Sequence, residues 1–229
     1  MTGAPPLRIV LADDERLVRT ALRAILGGEP DLVVAGEAAS GAEAVSVIRA
    51  TRPDVALMDV RMPEVDGIRA TERVLSVMGA AAPRIVVVTT FENDSYVYDA
   101  LRAGASGFLL KRSSAEELVQ AVRLVARGDS LLFPAAVRSL AVRHAPPYAR
   151  SAPEEGADGA TLRSLLTARE AEVLRLMTEG LSNTEIAAEM AVGPATTKSQ
   201  VTAVLTKLGA RDRTQAVIAA YERGFVTPG

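Results

Sequence analysis

The sequence predicts an open parallel α/β domain followed by an all-helical one. Three observations carry that reading. Five short runs rich in Val, Ile and Leu alternate with amphipathic stretches as far as about residue 127. A stretch of Pro, Gly, Ala and charge without periodicity follows. Beyond it, four helical patterns succeed one another, each with its own start and stop residues. The expected boundaries are 1–130 for the α/β domain, 131–164 for a short helix and linker, and 165–229 for the helical domain.

The five expected strands are LRIVLA (7–12), LVVAGEA (32–38), DVALMD (54–59), RIVVVT (84–89) and GFLLK (107–111). Continuous apolar runs of this length suit strands covered on both faces, and strands alternating with helices predict a parallel sheet. The first helix carries a stripe of Val18, Ala21, Leu22 and Ile25. The last repeats it with Leu118, Ala121, Val122 and Val125, behind a capping box of Ser114 and Glu117. A short helix is expected from Pro134, and RHAPPYARSAPEEGADGA then reads as linker. In the helical domain, Thr167/Glu170 and Ser182/Glu185 are capping boxes, with Gly180 as a stop between them. Pro194 suits a first helical position, and the helix it starts carries Val201, Val204, Leu205 and Leu208 before Gly209. A fourth helix runs from near Asp212 with Val217, Ala220 and Tyr221 to Gly224. The short turn Ala191-Val192-Gly193 gives the second and third helices helix-turn-helix spacing.

Composition narrows the function. Apolar residues make up 48 % and charged residues 24 %, the mix of a soluble globular protein. No run is apolar for long enough to span a bilayer, so no membrane partner is expected. Cysteine is absent, which removes disulfides, Cys-ligated zinc and thiol catalysis, and the single histidine, His144, cannot build a multi-His metal site. The opening MTGAPP has neither a basic nor an apolar leader region, and the expected location is the cytoplasm. A net charge of −2 argues against nucleic acid, but its distribution does not. Residues 190–215 hold Lys198, Lys207, Arg211 and Arg213 against Asp212 alone.

In an open parallel sheet, ligands bind beyond the carboxyl ends of the strands. There the sequence places Asp13 and Asp14, Asp59, Thr89 and Lys111. Three converging carboxylates repel unless a cation neutralises them, and a few oxygen ligands are what Mg²⁺ accepts. A lysine and a hydroxyl nearby can hold phosphoryl oxygens, and an aspartate against the metal can be the nucleophile. Any one of these aspartates alone is more often a turn residue or helix cap. Five such residues at the ends of one sheet favour the pocket. An aspartate-nucleophile phosphatase or phosphotransferase is the enzyme alternative, but the second aspartate expected two residues on is Arg61 here.

The third helix of the C-terminal domain is apolar on one side and presents Thr196, Lys198, Ser199, Thr202 and Lys207 on another. A helix fits the major groove, where lysine donates to guanine and serine or threonine to several base edges. Arg211 and Arg213 suit phosphates alongside. The plain alternative is a four-helix module whose polar face is only solvated.

Residues 7–128 resemble the receiver domain of two-component response regulators, carried by LADDE, MDVRMPEVDG, VVVTTFEND and GASGFLLKR. The resemblance implies a doubly wound, five-stranded flavodoxin-like fold and phosphorylation of Asp59 by a sensor histidine kinase. It implies Mg²⁺ (or Mn²⁺) on Asp14, Asp59 and the Arg61 backbone carbonyl, with Asp13 acting through water. It further implies that Thr89 and Lys111 engage the acyl phosphate and that Phe108 is the aromatic switch; from composition alone Phe108 reads as an ordinary core aromatic. Arg112 stands where many receivers have proline after the lysine. Bulky Arg61 and Phe91 near the phosphate lead us to expect slow hydrolysis.

Residues 165–227 resemble the LuxR/NarL-type helix-turn-helix family, carried by LTAREAEVLRLMTEGLSNTEIAAEM and VGPATTKSQVTAVLTKLGARDRTQAV. That implies a recognition helix from Ala195 to about Leu208, with Lys198, Ser199 and Thr202 toward bases of double-stranded DNA. It also implies a homodimer on activation, through the last helix. Gly193, Thr197 and Gln200 depart from the family's serine, β-branched apolar residue and histidine. Glycine costs only a few tenths of a kcal/mol at a cap, while Thr197 and Gln200 are expected to alter contacts or operator preference. The whole chain thus resembles a phosphorylation-controlled transcription factor rather than an enzyme.

Overall fold

The computed structural model describes residues 5–90, 94–129, 131–132, 134–144 and 162–226. Phe91 and the linker composition at 145–161 lie outside them. The chain divides into two compact units, Met1–Arg127 and Gly128–Gly229.

In the first unit, β1 (Leu7–Ala12), β2 (Leu32–Ala38), β3 (Val55–Asp59), β4 (Arg84–Thr89) and β5 (Gly107–Leu110) form one sheet in the order β2-β1-β3-β4-β5. Every pairing is parallel. This is the doubly wound, flavodoxin-like order. Because β1 lies between β2 and β3, the connections leaving β1 and β3 diverge and open a crevice at the strands' carboxyl ends. The expected strand bounds hold to within one residue. All five residues of β3 are buried, as a central strand with helices on both faces requires.

α1 (Arg16–Gly27) and α5 (Ala115–Arg127) cover one face; α2 (Gly41–Thr51), α3 (Gly67–Met78) and α4 (Asp94–Arg102) cover the other. A short 3₁₀ turn, Gly79–Ala81, follows α3. On the second face Ala44 and Ile48 of α2 and Ala70 and Val74 of α3 pack on Val10, Ala56, Met58 and Ile85. The α5 stripe is buried as expected, and its capping box forms with Ser114 N donating to Glu117 Oε2 at 2.8 Å. The α1 stripe is partly corrected: Ala21 is exposed and Leu26 is the buried residue.

The second unit contains α6 (Pro134–His144), a helical turn at 162–165, α7 (Ala168–Thr178), α8 (Asn183–Glu189), α9 (Pro194–Leu208) and α10 (Arg213–Glu222). Both capping boxes form, from Thr167 with Glu170 and from Ser182 with Glu185. Gly180 (φ +92°) ends α7's turn and Gly209 (φ +64°) caps α9 in left-handed conformations that favour glycine. α7, α8 and α9 pack around Val173, Leu174, Met177, Ile186, Val201 and Val204. α6 packs against α10.

Candidate functional site

At the carboxyl ends of β1 and β3, Asp13 and Asp59 are buried and Asp14 is exposed. One oxygen from each of the three lies within 4.8 Å of the others. Lys111, just past β5, reaches in: its Nζ is 2.7 Å from Asp13 Oδ2 and 3.2 Å from Asp59 Oδ2. Burial, reinforced by the negative charge of Asp13, raises the Asp59 carboxyl to about 6 even though Lys111 pulls the other way. Burial also works against the Lys111 ammonium, but its hydrogen bonds to and charge attraction from Asp13 and Asp59 outweigh that and raise its pKa. A carboxylate set with one small ammonium is a donor set that fits a hard divalent cation.

The backbone fixes this arrangement. Lys111 N donates to Thr89 O at 2.8 Å, placing the lysine beside the end of β4, and Thr89 itself is buried. Gly67, the first residue of α3, packs so tightly under the site that an added Cβ would lie 1.9 Å from Asp59 O. Its N–H donates to Val60 O at 2.9 Å, closing the loop that follows Asp59. Phe108 is half-buried on β5, paired with Val87. Arg61 is exposed, with its guanidinium 5.6 Å from the Tyr96 ring centroid on α4.

Sequence reasoning missed Glu15. Its N–H donates to Asp13 Oδ1 at 2.9 Å and its carboxylate lies 3.4 Å from Lys111 Nζ. The run Asp13-Asp14-Glu15 was the available signal.

On the second unit, Thr196, Lys198, Ser199, Thr202 and Lys207 are all exposed on α9, while Val201, Val204 and Leu208 face the core. Lys207 Nζ is engaged by Glu170 Oε2 at 2.6 Å. That hydrogen bond, followed by those from Thr167, holds the Glu170 carboxyl down at about 2. Arg211 is half-buried, 3.8 Å from Asp212 Oδ2.

Two expectations are corrected here. Arg213 is only 3 % exposed, so it does not suit a phosphate contact. Its guanidinium donates to the carbonyl of Leu181, to Asn183 Oδ1 at 3.1 Å and to the carbonyl of Asp129 at 3.5 Å. Burial pulls it down to about 10, with Glu185 and Asp129 opposing that shift. Thr197 is fully buried, with Oγ1 toward Gly193 O at 3.5 Å, so its side chain fills the core and is not presented on the exposed face of α9. Gln200 is half-buried with Oε1 enclosed.

Fold and pocket together define a receiver-type α/β domain joined to a helix-turn-helix module. The family models agree: "Response regulator receiver domain" matches residues 9–123, and "Bacterial regulatory proteins, luxR family" matches residues 164–220. This chain belongs to the LuxR-type response regulators, transcriptional regulators of two-component systems. It is 38 % identical to the transcriptional regulatory protein YxjL of Bacillus subtilis, over 96 % of this chain and 97 % of that one. LiaR of the same organism is 36 % identical over 96 % and 99 %. Among solved structures, the response regulator ChrA aligns with TM-score 0.50 and 32 % identity over 97 % of this chain and all of its own. A LuxR-family response regulator from an Aurantimonas species aligns with TM-score 0.54 and 34 % identity, covering 59 % of this chain and 96 % of its own. Among the described residues, no helix is long and apolar enough to cross a membrane.

Proposed function

We propose that Asp59 accepts a phosphoryl group from a sensor histidine kinase and that this event switches DNA binding by α9. The observation that carries the reading is the convergence of Asp13, Asp14 and Asp59 with Lys111 at the ends of β1, β3 and β5. An Asp59 oxygen attacks phosphorus, the phosphorus–nitrogen bond of the kinase phosphohistidine breaks, and the imidazole leaves. Asp14, Asp59 and the Arg61 carbonyl would hold Mg²⁺ or Mn²⁺, with Asp13 acting through water. The bound cation supplies neutralisation of the phosphoryl oxygens.

Lys111 and Thr89 then bind the phosphoryl group, which adds nearly two negative charges beside them. Thr89 moves toward it and Phe108 turns into the space released, a change between two packed arrangements. The chain turns over no other substrate; its chemistry is gain and loss of its own acyl phosphate, in the cytoplasm. On the effector side, Thr196, Lys198, Ser199 and Thr202 face bases of double-stranded DNA while Lys207 and Arg211 serve phosphates. Two copies pair through α10 to read two half-sites.

Sedimentation and operator binding, measured before and after treatment with acetyl phosphate and Mg²⁺, test this reading. A phosphate-dependent dimer that binds DNA more tightly supports it. A monomer whose DNA affinity ignores phosphate contradicts it.

A further inference from the structure

The short helix expected between the two domains, together with Asp129 before it, is built into the effector unit. Asp129 is fastened to the start of α8: its carbonyl accepts from Asn183 N at 3.1 Å and its Oδ1 from Asn183 Nδ2 at 3.2 Å. The buried Arg213, first residue of α10, donates to that same carbonyl and to Asn183 Oδ1. One guanidinium therefore ties the segment before α6 to the first turns of both α8 and α10. Beyond this clasp, α6 lies on α10, burying Val137, Leu140 and Ala141, and the Arg138 charge acts on the Tyr221 hydroxyl. Pro134 sits so close to Gly180 that a Cβ there would lie 2.5 Å from the proline's Cβ.

α10 needs such a cover. It buries Ala216, Val217, Ile218, Ala220 and Tyr221. At about 100° per residue these positions spread around more than half of the helix, a wider arc than one packed side uses. α7 and α9 take part of that arc and α6 takes more. With α6 gone, α10 would show an apolar strip that a second copy of the same helix could fill by two-fold symmetry. The apolar grip of that cover is small. It adheres through an i, i+3, i+4 set of two medium side chains and one alanine, a small area for eleven ordered residues.

We propose that α6 is a removable cover of the α10 surface, latched by the Asp129–Asn183–Arg213 clasp, and that a second copy of this chain takes its place. The proposal rests on the reading that activation pairs two chains through α10, and adds what blocks that pairing beforehand. In the chain, Gly128 alone separates the end of α5 from Asp129.

The test is hydrogen exchange of the full-length protein with and without acetyl phosphate and Mg²⁺, with sedimentation on the same samples. α6 amides should be protected in the unmodified monomer and lose most of that protection as the dimer forms. Persisting α6 protection in a phosphorylated dimer would overturn the proposal. Val137→Glu supplies the second arm, with α7–α10 protection reporting whether the effector still folds; Arg138→Ala is the milder substitute if it does not. Released α6 with dimers in the absence of phosphate supports the cover, whereas released α6 with a folded, persistently monomeric effector refutes it. Failure of the underlying reading shows separately, as no added phosphoryl mass on a chain whose variants still dimerise.

Discussion

The Lys111 ammonium stands 3.2 Å from Asp59 Oδ2 and still does not compensate the burial of that carboxylate, whose pKa rests at about 6. Asp13, 2.7 Å from the same ammonium, adds to the rise. Without a further cation the pocket holds more negative charge than its one lysine neutralises.

Stability should report this directly. A carboxyl with a folded pKa near 6 and an ordinary value of 3.8 favours folding in its protonated form. Its contribution is present at low pH and is lost as pH rises through 6, because the folded state binds the extra proton in that window. Asp59→Asn should therefore stabilise the metal-free receiver at pH 7.5, by about 1–3 kcal/mol. Thermal unfolding checks it. Mg²⁺ should raise the Tm of the wild type far more than that of the variant.

Gly67→Ala should damage the same site through packing. Its Cβ would fall 1.9 Å from the Asp59 carbonyl, against backbone that cannot swing aside. The expected loss is about 1–3 kcal/mol, with slower phosphoryl uptake because the Asp59 loop is displaced. Denaturant unfolding and the uptake rate measure the two effects.

Lys198 and Arg213 should separate cleanly. Lys198 is exposed on α9 and Arg213 is enclosed. Lys198→Ala should weaken DNA binding with no change in Tm. Arg213→Met should leave the carbonyl of Leu181 and Asn183 Oδ1 short of a donor, costing about 2–4 kcal/mol. Fluorescence anisotropy of a labelled operator against salt, beside thermal melts, distinguishes the roles.

Acid should act on the effector through Glu170. Its carboxyl is held at about 2 by Lys207 and by the Thr167 capping box. A depressed carboxyl contributes stability that is present above its ordinary pKa of 4.5 and is lost as pH falls toward 2. Melting of the effector unit between pH 5 and pH 2 should fall more steeply for the wild type than for Glu170→Gln.

Much of this was legible in the sequence because it is local. Strand bounds follow from apolar runs, and the boxes at Ser114, Thr167 and Ser182 follow from residues three apart. The pocket residues could be placed because each ends a strand of one sheet, and parallel connectivity brings those ends together. Burial that depends on distant partners was not legible. Arg213 reads as a basic residue beside a DNA helix until Leu181, Asn183 and Asp129 are seen around it. Thr197 reads as polar until the first turn of α9 is seen to rotate it inward. α6 was expected as a helix, but nothing in its short apolar stripe names α10 as its neighbour.

The most direct test of the central claim is the intact mass of the purified protein after acetyl phosphate and Mg²⁺, beside Asp59→Ala. The account predicts one added phosphoryl group on the wild type, absent from the variant and absent when the metal is chelated. A wild-type chain that gains no mass, or an Asp59→Ala chain that gains the same mass, would contradict it.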